Sequence, residues 1–231
     1  MQQTPAHDLA NPDLLSAMPM ASKVVEVGCS RGALAKEYKK RFPLAHYTGI
    51  EIDPDFGAVA KDFCDKIIIG NFEDICINEG IDGLSGSECW VFGDTLEHFQ
   101  DPWMVLKKVR KLMSDNGCVC ACIPNMQHWS IQFKLIRGDI TYEESGLLDR
   151  THLRWFTRKT IQKLFEESGF VINKMTPRIF QNQHNQTAAE LIGSIASRLG
   201  ADATEASQDS LPLQYVIKAI PNPLKNTSIS G

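Results

Sequence analysis

Short apolar runs alternate with amphipathic stretches along most of the chain. The first run, Val24, Val25 and Val27, is too short for a helix and is β-branched, as is typical of a strand buried on both faces. Similar runs follow it. The pattern predicts strands at residues 24–27, 46–52, 66–69, 89–92, 118–123, 170–175 and 213–220.

Helical periodicity and capping residues predict the elements between these runs. Asp101 followed by Pro102 indicates one helix start, and Thr157 indicates another, whose helix Gly169 ends. The predicted helices cover residues 34–42, 58–64, 102–113, 158–168 and 188–199. Strands that alternate with amphipathic helices predict an α/β fold in which helices cover both faces of a mostly parallel sheet.

The segment 23–53 combines a strand, a glycine turn, a helix, a second strand and a terminal acid. Gly28 and Gly32 interrupt the apolar pattern, and Glu51 follows at the end of the second strand. A carboxylate in that position is placed to accept hydrogen bonds from a ribose diol. The alternative is an ordinary strand, turn and helix that bind no ligand.

The glycine spacing indicates which ligand this turn would accept. A dinucleotide fingerprint has a central glycine that lets the backbone approach a pyrophosphate, but Ser30 occupies that position here. Glu26, just before the turn, would repel phosphate and suit an ammonium group. A ligand with an adenosine and an α-amino acid fits better than a dinucleotide, and S-adenosylmethionine is such a ligand.

In a doubly wound sheet, ligands bind at the carboxyl ends of the strands. At these ends Asn71 is a candidate acceptor for an adenine amino group, and Phe72 would either meet the adenine ring or belong to the core. Asp94 would bind a ligand ammonium or cap a helix. We expect cofactor contacts from Glu26, Gly28, Cys29, Ser30, Gly32, Glu51, Ile52, Asn71, Phe72, Asp94, Thr95 and Leu96.

Two histidines are candidate proton acceptors. His98 follows the fourth strand, and an imidazole titrates near neutral pH, so His98 could take a proton from a substrate hydroxyl. His152, with Asp149 and Arg150, forms a second cluster of ionisable residues, which lies within residues 125–155. We interpret that segment as a lid over the acceptor; the alternative is a salt-bridged loop that only packs on the sheet edge.

Two tryptophans, Trp129 and Trp155, would give this lid flat apolar walls. Methyl transfer needs little more than such a shaped pocket, because the sulfonium donor is already activated. The protein must align the reacting atoms and, for a hydroxyl acceptor, remove one proton.

Composition limits the remaining possibilities. The chain has 231 residues, 43% of them hydrophobic, which suits one domain at 1–220, with an insertion at 178–212 and a flexible tail at 221–231. A net charge of −4 predicts no nucleic-acid partner. The absence of a leader and of a long apolar stretch predicts no membrane span and a cytoplasmic location.

Seven cysteines, an odd number, favour reduced thiols. Cys118, Cys120 and Cys122 alternate along one predicted strand and therefore share one of its faces. That arrangement lacks the loop geometry of a zinc site, so no metal is expected there.

Five motifs occur along the chain in order: E-V-G-C-S-R-G, G-I-E-I-D, G-D-T-L-E-H-F-Q-D-P, a cysteine strand that ends in I-P-N, and L-L-D-R-T-H-L-R-W-F-T. Together they resemble class I S-adenosylmethionine-dependent methyltransferases. Within that class the chain is most similar to bacterial small-molecule and sugar O-methyltransferases encoded near glycosyltransferases, in polysaccharide or secondary-metabolite clusters. The resemblance covers residues 14–220.

The resemblance implies a Rossmann-like, doubly wound, three-layer αβα fold whose seven-stranded sheet is mostly parallel with an antiparallel last strand. It also implies that His98 matches the histidine that acts as base in related sugar methyltransferases. Two departures affect the donor site: Ser30-Arg31 replaces the usual Gly-Thr or Gly-Ser, and Asn71 stands where many relatives have Asp.

The leading hypothesis is O-methylation of a sugar hydroxyl or another small polar acceptor, with His98 as general base and with His152, Asp149 and Arg150 orienting the acceptor. S-adenosylmethionine is the expected cofactor and S-adenosylhomocysteine its product; the spacing does not require a divalent metal and leaves one open. The alternatives are a lipid, quinone or amine acceptor, an NAD(P)-dependent oxidoreductase, and a non-catalytic adaptor. A monomer or a homodimer is expected.

Overall fold

One seven-stranded sheet forms the centre of the protein in the computed structural model, which describes residues 8–77 and 83–223. Its strands follow the apolar runs closely. They are β1 (Lys23–Val27), β2 (His46–Glu51), β3 (Lys66–Ile69), β4 (Ser87–Gly93), β5 (Met113–Pro124), β6 (Phe170–Arg178) and β7 (Gln214–Pro221).

Helices connect these strands, and a 3₁₀ turn, Leu96–His98, follows β4. Most of the helices begin at a polar capping residue, often with proline in the first turn. The helices are α1 (Pro12–Ala17), α2 (Ala33–Arg41), α3 (Pro54–Ala60), α4 (Phe72–Ile77), α5 (Pro102–Leu112), α6 (Trp129–Ile136), α7 (Arg158–Glu167), α8 (Asn185–Arg198) and α9 (Ala203–Asp209).

The spatial order of the strands is β3-β2-β1-β4-β5-β7-β6. Strands β1 to β5 pair in parallel, whereas β7 is antiparallel to both β5 and β6. The prediction of a mostly parallel sheet with an antiparallel last strand is therefore confirmed. The order reverses between β1 and β4, so the loops after these two strands diverge and leave a crevice at their carboxyl ends.

Burial of the central strands on both faces explains why their sequences are mainly apolar. Strand β1 lies between β2 and β4, and its side chains enter two separate hydrophobic clusters on opposite faces of the sheet: Val25 and Val27 on one face, and Val24 on the other. Helices α5 and α7 cover the first face, and α1 and α2 cover the second.

Some predicted boundaries were wrong. The helix expected at 58–64 is α3, which begins at Pro54 because the side chain of Asp53 accepts hydrogen bonds from the backbone of Asp55 and Phe56. The helix expected at 188–199 begins earlier, at Asn185, and β6 extends beyond its apolar half to Arg178. Residues 224–231 of the predicted tail lie outside the described residues.

None of the helices within residues 8–77 and 83–223 combines the length and the apolar character that crossing a lipid bilayer would require.

Replacement of Leu106 by Ala tests the core on the α5 side of the sheet. Leu106 is fully buried there, so we expect Leu106→Ala to lower the free energy of unfolding by about 2–5 kcal/mol, because the lost methyl groups leave a cavity. Urea unfolding followed by circular dichroism measures the change. Leu44→Ala is the control, since Leu44 is 97% exposed and its truncation should cost less than about 0.5 kcal/mol. Equal losses in the two variants would contradict this packing.

Candidate active site

A cavity of about 980 Å³ opens at the carboxyl ends of β1, β2 and β4. The turn after β1 and the first residues after β2 and β4 form one end of it, which we call the donor end. The 3₁₀ turn and residues 145–153 form the other, which we call the acceptor end. A crevice of this size at the reversal of strand order is the usual ligand site of such a fold.

The turn after β1 adopts a conformation that favours glycine. Gly28 and Gly32 have φ values of 73° and 77°, and Ser30 between them has a φ of 48°. A Cβ atom on Gly28 would lie 2.7 Å from the Oγ1 atom of Thr95, so the β1 turn and the β4 loop touch at this point. Any larger residue at position 28 would therefore require the side chain of Thr95 to move.

Glu51 holds the turn in place. One of its carboxylate oxygens accepts a hydrogen bond from the backbone N–H of Ser30 at 2.7 Å, and the other accepts one from Asp53 at 3.0 Å. Glu51 is 3% exposed and lines the cavity. The predicted ribose acid therefore organises the donor end as well as facing it.

Glu26 lies on β1 beneath the turn and also lines the cavity. Its carboxylate accepts a hydrogen bond from the hydroxyl of Tyr47 at 2.9 Å. Burial raises the pKa of Glu26 to about 8; the Tyr47 hydrogen bond lowers the pKa and the charge of Glu51 raises it further. A cationic ligand group beside Glu26 would favour its ionised form.

Asp94 closes the donor end from the β4 side. It has a φ of 52°, its backbone N–H donates to the carbonyl of Cys122 at 3.1 Å, and its carboxylate accepts a hydrogen bond from the Gln214 side chain. This left-handed conformation, unusual for a residue other than glycine, turns the chain abruptly out of β4. Gln214, at the start of β7, is a cavity residue that the sequence patterns did not single out.

Asn71 and Phe72 follow β3. The side-chain oxygen of Asn71 accepts a hydrogen bond from the backbone of Glu73 at 3.0 Å, as a helix cap does. The ring of Phe72 packs against Trp90 and Phe92 in the core, and part of the residue borders the cavity. Both of the roles considered for Phe72 are therefore compatible with its position.

Most of the predicted donor-site residues meet at this cavity, but two do not line it. Gly32 lies at the start of α2, against Ala60 and Phe63, and the side chain of Leu96 is in the core. The predicted residues that line the cavity are Glu26, Gly28, Cys29, Ser30, Glu51, Ile52, Asn71, Phe72, Asp94 and Thr95.

The acceptor end brings His98 and His152 together. Their ring centroids lie 4.8 Å apart. The Nδ1 atom of His98 lies 3.2 Å from the carbonyl oxygen of Thr151, which can only accept, so Nδ1 carries the proton and Nε2 keeps its lone pair. Burial lowers the pKa of His98, so its imidazole is neutral at pH 7; the Thr151 hydrogen bond and the charge of Asp149 oppose this shift in part.

Asp149 acts on His98 through Thr151. One carboxylate oxygen of Asp149 accepts hydrogen bonds from the backbone N–H of Thr151 at 2.8 Å and from its hydroxyl at 2.6 Å. Arg150 borders the cavity, but its guanidinium pairs with Glu144 at 2.5 Å near the protein surface. All four predicted acceptor-side residues, His98, Asp149, Arg150 and His152, thus line the same cavity.

Glu97 is the important residue that sequence reasoning missed. It is 1% exposed, it lines the cavity, and neither of its carboxylate oxygens has a hydrogen-bond partner outside its own residue among the described residues. Its Oε1 atom lies 3.8 Å from Nε2 of His152. Burial, with the charges of Asp94 and Asp149, raises its pKa well above the usual range. In the sequence, the only indication of a role for Glu97 is its position next to His98 in the D-T-L-E-H motif.

The prediction that Trp129 and Trp155 form apolar walls over the acceptor was wrong. Trp129 donates a hydrogen bond to the side chain of Asn185 at 2.9 Å and packs against His128 and His184, away from the cavity. Trp155 is half exposed and does not line the cavity either. The short segment from Ser145 to Leu153 borders the acceptor end instead.

The cysteine strand faces away from this site. Cys118 and Cys120 lie with Cys89 of β4 in the core cluster on the α1 and α2 side of the sheet, and all three thiols are buried and free. Their sulfur atoms lie within 4.8 Å of one another. None of the three lines the cavity.

Comparison with known proteins identifies the fold. A family model described as a methyltransferase domain matches residues 7–174. A search of curated protein sequences gave no match.

Several solved structures share the architecture at low sequence identity. One is the putative methyltransferase in complex with the Trm112 activator from Haloferax volcanii, with 12% identity, a TM-score of 0.60 and coverage of 91% of this chain and 88% of the other. A possible histamine N-methyltransferase from Thermotoga maritima has 16% identity, a TM-score of 0.59 and coverage of 89% and 86%. The plantazolicin methyltransferase BamL, in complex with a triazolic desmethylPZN analog and SAH, has 16% identity, a TM-score of 0.57 and coverage of 90% of this chain and 81% of the other.

Replacement of Gly28 by Ala tests the contact between the β1 turn and the β4 loop. Gly138 is a matched control, because it has nearly the same φ, 72°, but has no atom within 4 Å of an added Cβ. Gly138→Ala should cost about 1 kcal/mol of unfolding free energy through its backbone alone. Gly28→Ala should cost at least about 1 kcal/mol more, because Thr95 must move.

Urea unfolding of both single variants and of the double variant Gly28→Ala/Thr95→Ala measures the difference. The double variant should recover part of the extra loss, since the obstructing side chain is gone. Equal losses in the two single variants would show that Gly28 is needed only for its backbone conformation.

Proposed function

The chain belongs to the methyltransferase-domain family, whose members of this fold use S-adenosylmethionine, and from that premise we propose that it methylates a hydroxyl oxygen of a sugar or another small polar acceptor. The observation that carries the proposal is the division of one cavity into an acidic donor end and an acceptor end with a neutral, oriented imidazole. The two ends supply the two things that O-methylation requires of a protein: a held donor and a proton acceptor.

The residues at the donor end fit S-adenosylmethionine. Gly28 has no side chain where the β1 turn approaches the cavity, so the backbone can lie against the ligand. Glu26 and Asp94 would bind the ammonium group, and Glu51 would accept hydrogen bonds from the ribose hydroxyls. Asn71 and Phe72 would contact the adenine. When bound, the cofactor supplies a methyl group activated by its sulfonium.

The charge of this end favours that ligand over a dinucleotide. Glu26, Glu51 and Asp94 all border the donor end, so a pyrophosphate there would meet acidic side chains and, among the described residues that line this end, no basic group to compensate its charge, whereas a cationic group would favour the ionised form of Glu26. The ammonium and the sulfonium of S-adenosylmethionine are positively charged groups, which acidic side chains would attract. The oxidoreductase alternative is therefore disfavoured by electrostatics as well as by the missing central glycine.

At the acceptor end, His98 is the proposed general base. Its Nδ1–H donates to the Thr151 carbonyl, which fixes the tautomer with Nε2 free to accept a proton. Asp149 orients Thr151 and so acts as a positioning residue for His98. His152 and Arg150 border the same space and would orient the polar groups of the acceptor.

A pH-dependent affinity for S-adenosylhomocysteine tests the role of Glu26. In the free protein its pKa is about 8, so the carboxyl is mostly protonated at pH 7. An ammonium group beside it favours ionisation, so binding should release a proton and the affinity should rise from pH 6 to pH 8. Isothermal titration at pH 7, in two buffers with different ionisation enthalpies, measures the protons released.

Glu26→Gln should abolish the proton release and, at pH 8, weaken binding roughly tenfold, since a charged hydrogen bond is lost. Glu37→Gln is the control, because Glu37 lies on the outer side of α2, paired with Lys40. A failure of S-adenosylhomocysteine to bind at millimolar concentration would overturn the proposed donor. Binding with the same heat in both buffers would overturn only the role of Glu26.

Removal of His98 tests the base. His98→Ala should lower kcat by roughly a hundredfold or more, because a positioned base contributes about that factor. Its affinity for S-adenosylhomocysteine should change little. Turnover is measured as S-adenosylhomocysteine formed with a panel of hexoses, hexose glycosides and small phenols. His46→Ala at the exposed start of β2 is the control. Near-normal turnover of His98→Ala on a substrate from this panel would contradict the assignment.

A further inference from the structure

Three side chains at the acceptor end lie close together but form no hydrogen bond with one another: Glu97, His98 and His152. One ligand atom from each of the three lies within 4.8 Å of the others. We call them the Glu97 cluster. All three border the cavity, so a small ion could reach them from the acceptor end.

Glu97 is the observation that calls for a ligand. It is 99% buried, and neither of its oxygens has a hydrogen-bond partner outside its own residue among the described residues; only its own backbone N–H acts on the carboxyl. A buried polar group without a partner destabilises the folded protein, and more so when it is charged. The nearest basic atom, Nε2 of His152 at 3.8 Å, is too distant for a hydrogen bond. This carboxyl therefore lies in an unfavourable environment unless something else binds it.

Both imidazoles are arranged as metal-binding histidines usually are. A histidine ligand normally donates its second ring N–H to a backbone carbonyl or a carboxylate, which fixes the ring and its tautomer. His98 does so to the carbonyl of Thr151, and His152 hydrogen-bonds to the backbone of Leu147. Burial lowers the pKa of His152 to about 4 and also lowers that of His98. Both rings are neutral at pH 7, as metal coordination requires.

We propose that the Glu97 cluster binds a divalent first-row transition cation, with one oxygen of Glu97 and one nitrogen of each imidazole as ligands. Two imidazoles and one carboxylate form a donor set that suits cations of this class. Adjacent ligand atoms in such a site are about 3 Å apart at ligand distances of about 2.1 Å, so small side-chain rotations would close the cluster. The remaining coordination positions would face the cavity.

The surrounding charges favour a cation. Asp94 and Asp149 both act electrostatically on Glu97, so the acidic groups around the cluster would attract a cation. A divalent cation would also compensate the charge of the buried carboxylate.

This inference goes beyond the proposed methyl transfer and does not depend on it. In the empty cluster, Nε2 of His98 is available as a base. If a cation were bound, that lone pair would hold it, and the cation would supply Lewis-acid chemistry that makes an acceptor hydroxyl easier to deprotonate. The two arrangements are occupancy states of one site, and a binding measurement distinguishes them without any acceptor.

The buried cysteines are the one competing cluster that the described residues offer. Cys89, Cys118 and Cys120 also lie within 4.8 Å of one another, and thiolates bind the same cations. These cysteines do not line the cavity, and they lie in the core on the α1 and α2 side of the sheet. A probe must therefore report the identity of its ligands as well as its affinity.

Cobalt(II) is such a probe. The tag-free full chain is freed of metal with a chelator, titrated with Co²⁺ at pH 7.5 and followed by absorption. We expect one equivalent to bind with the visible bands of nitrogen and oxygen ligation and without the intense near-ultraviolet band of a cobalt thiolate. Glu97→Gln and His152→Asn should each weaken binding at least about tenfold, because each removes one of three protein ligands.

His128→Asn is the matched control. His128 is also a buried histidine whose pKa burial lowers to about 4, and it caps α6, a role that asparagine retains. Its Co²⁺ affinity should equal that of the wild type. A thermal shift with S-adenosylhomocysteine checks that each variant keeps a folded donor end.

Three results would overturn the cation site: no spectral change at about millimolar Co²⁺, unchanged affinity in both cluster variants, or a thiolate band that accounts for all bound cobalt. A wild-type protein that binds Co²⁺ as expected but shows no shift with S-adenosylhomocysteine would contradict the proposed methyl donor and leave the cation site standing. The two failures are therefore distinguishable.

Discussion

The carboxylate of Glu51 accepts hydrogen bonds from the backbone of both Ser30 and Asp53, and the geometry of the donor end depends on this pair of contacts. Ser30 belongs to the turn after β1, and Asp53 is the cap of α3, so one side chain links these two loops by hydrogen bonds. Because these contacts hold the β1 turn in place, Gly28 lies against Thr95, and this contact positions the loop after β4. The shape of the cavity thus follows from one buried acid at the end of β2.

Burial has opposite consequences at the two ends of the cavity. At the donor end it raises the pKa of Glu26, which would ionise when a cationic ligand arrives. At the acceptor end it lowers the pKa values of His98 and His152, so both rings stay neutral and keep a lone pair. The same desolvation therefore prepares one end for a positive charge and the other for a proton or a cation.

Sequence patterns located the sheet and the donor end well because both are local. An apolar run predicts a strand wherever it pairs, and Gly28 with Glu51 shows the turn and the acid within one segment. Features that depend on distant partners were not accessible. Trp129 was expected at the cavity, but its indole bonds to Asn185, 56 residues away. Glu97 could not be singled out from the sequence, because only the fold shows that its carboxylate has no partner outside its own residue. The predicted start of α3 was wrong for a different, local reason, since its cap, Asp53, bonds to residues two and three positions further on.

The position of β7 has a consequence for synthesis of the chain. Strand β7 lies between β5 and β6, although it follows both of them in sequence, and among the described strands β6 pairs only with β7. The first residue of β7, Gln214, also donates a hydrogen bond to Asp94 at the donor end. During synthesis of the chain, β7 begins about 36 residues after β6 ends, so β6 can pair only after those residues have been made. The contact between Gln214 and Asp94 at the donor end also forms only then. The cavity is therefore assembled late, and a nascent chain that ends before β7 holds most of the residues of the site without their final arrangement.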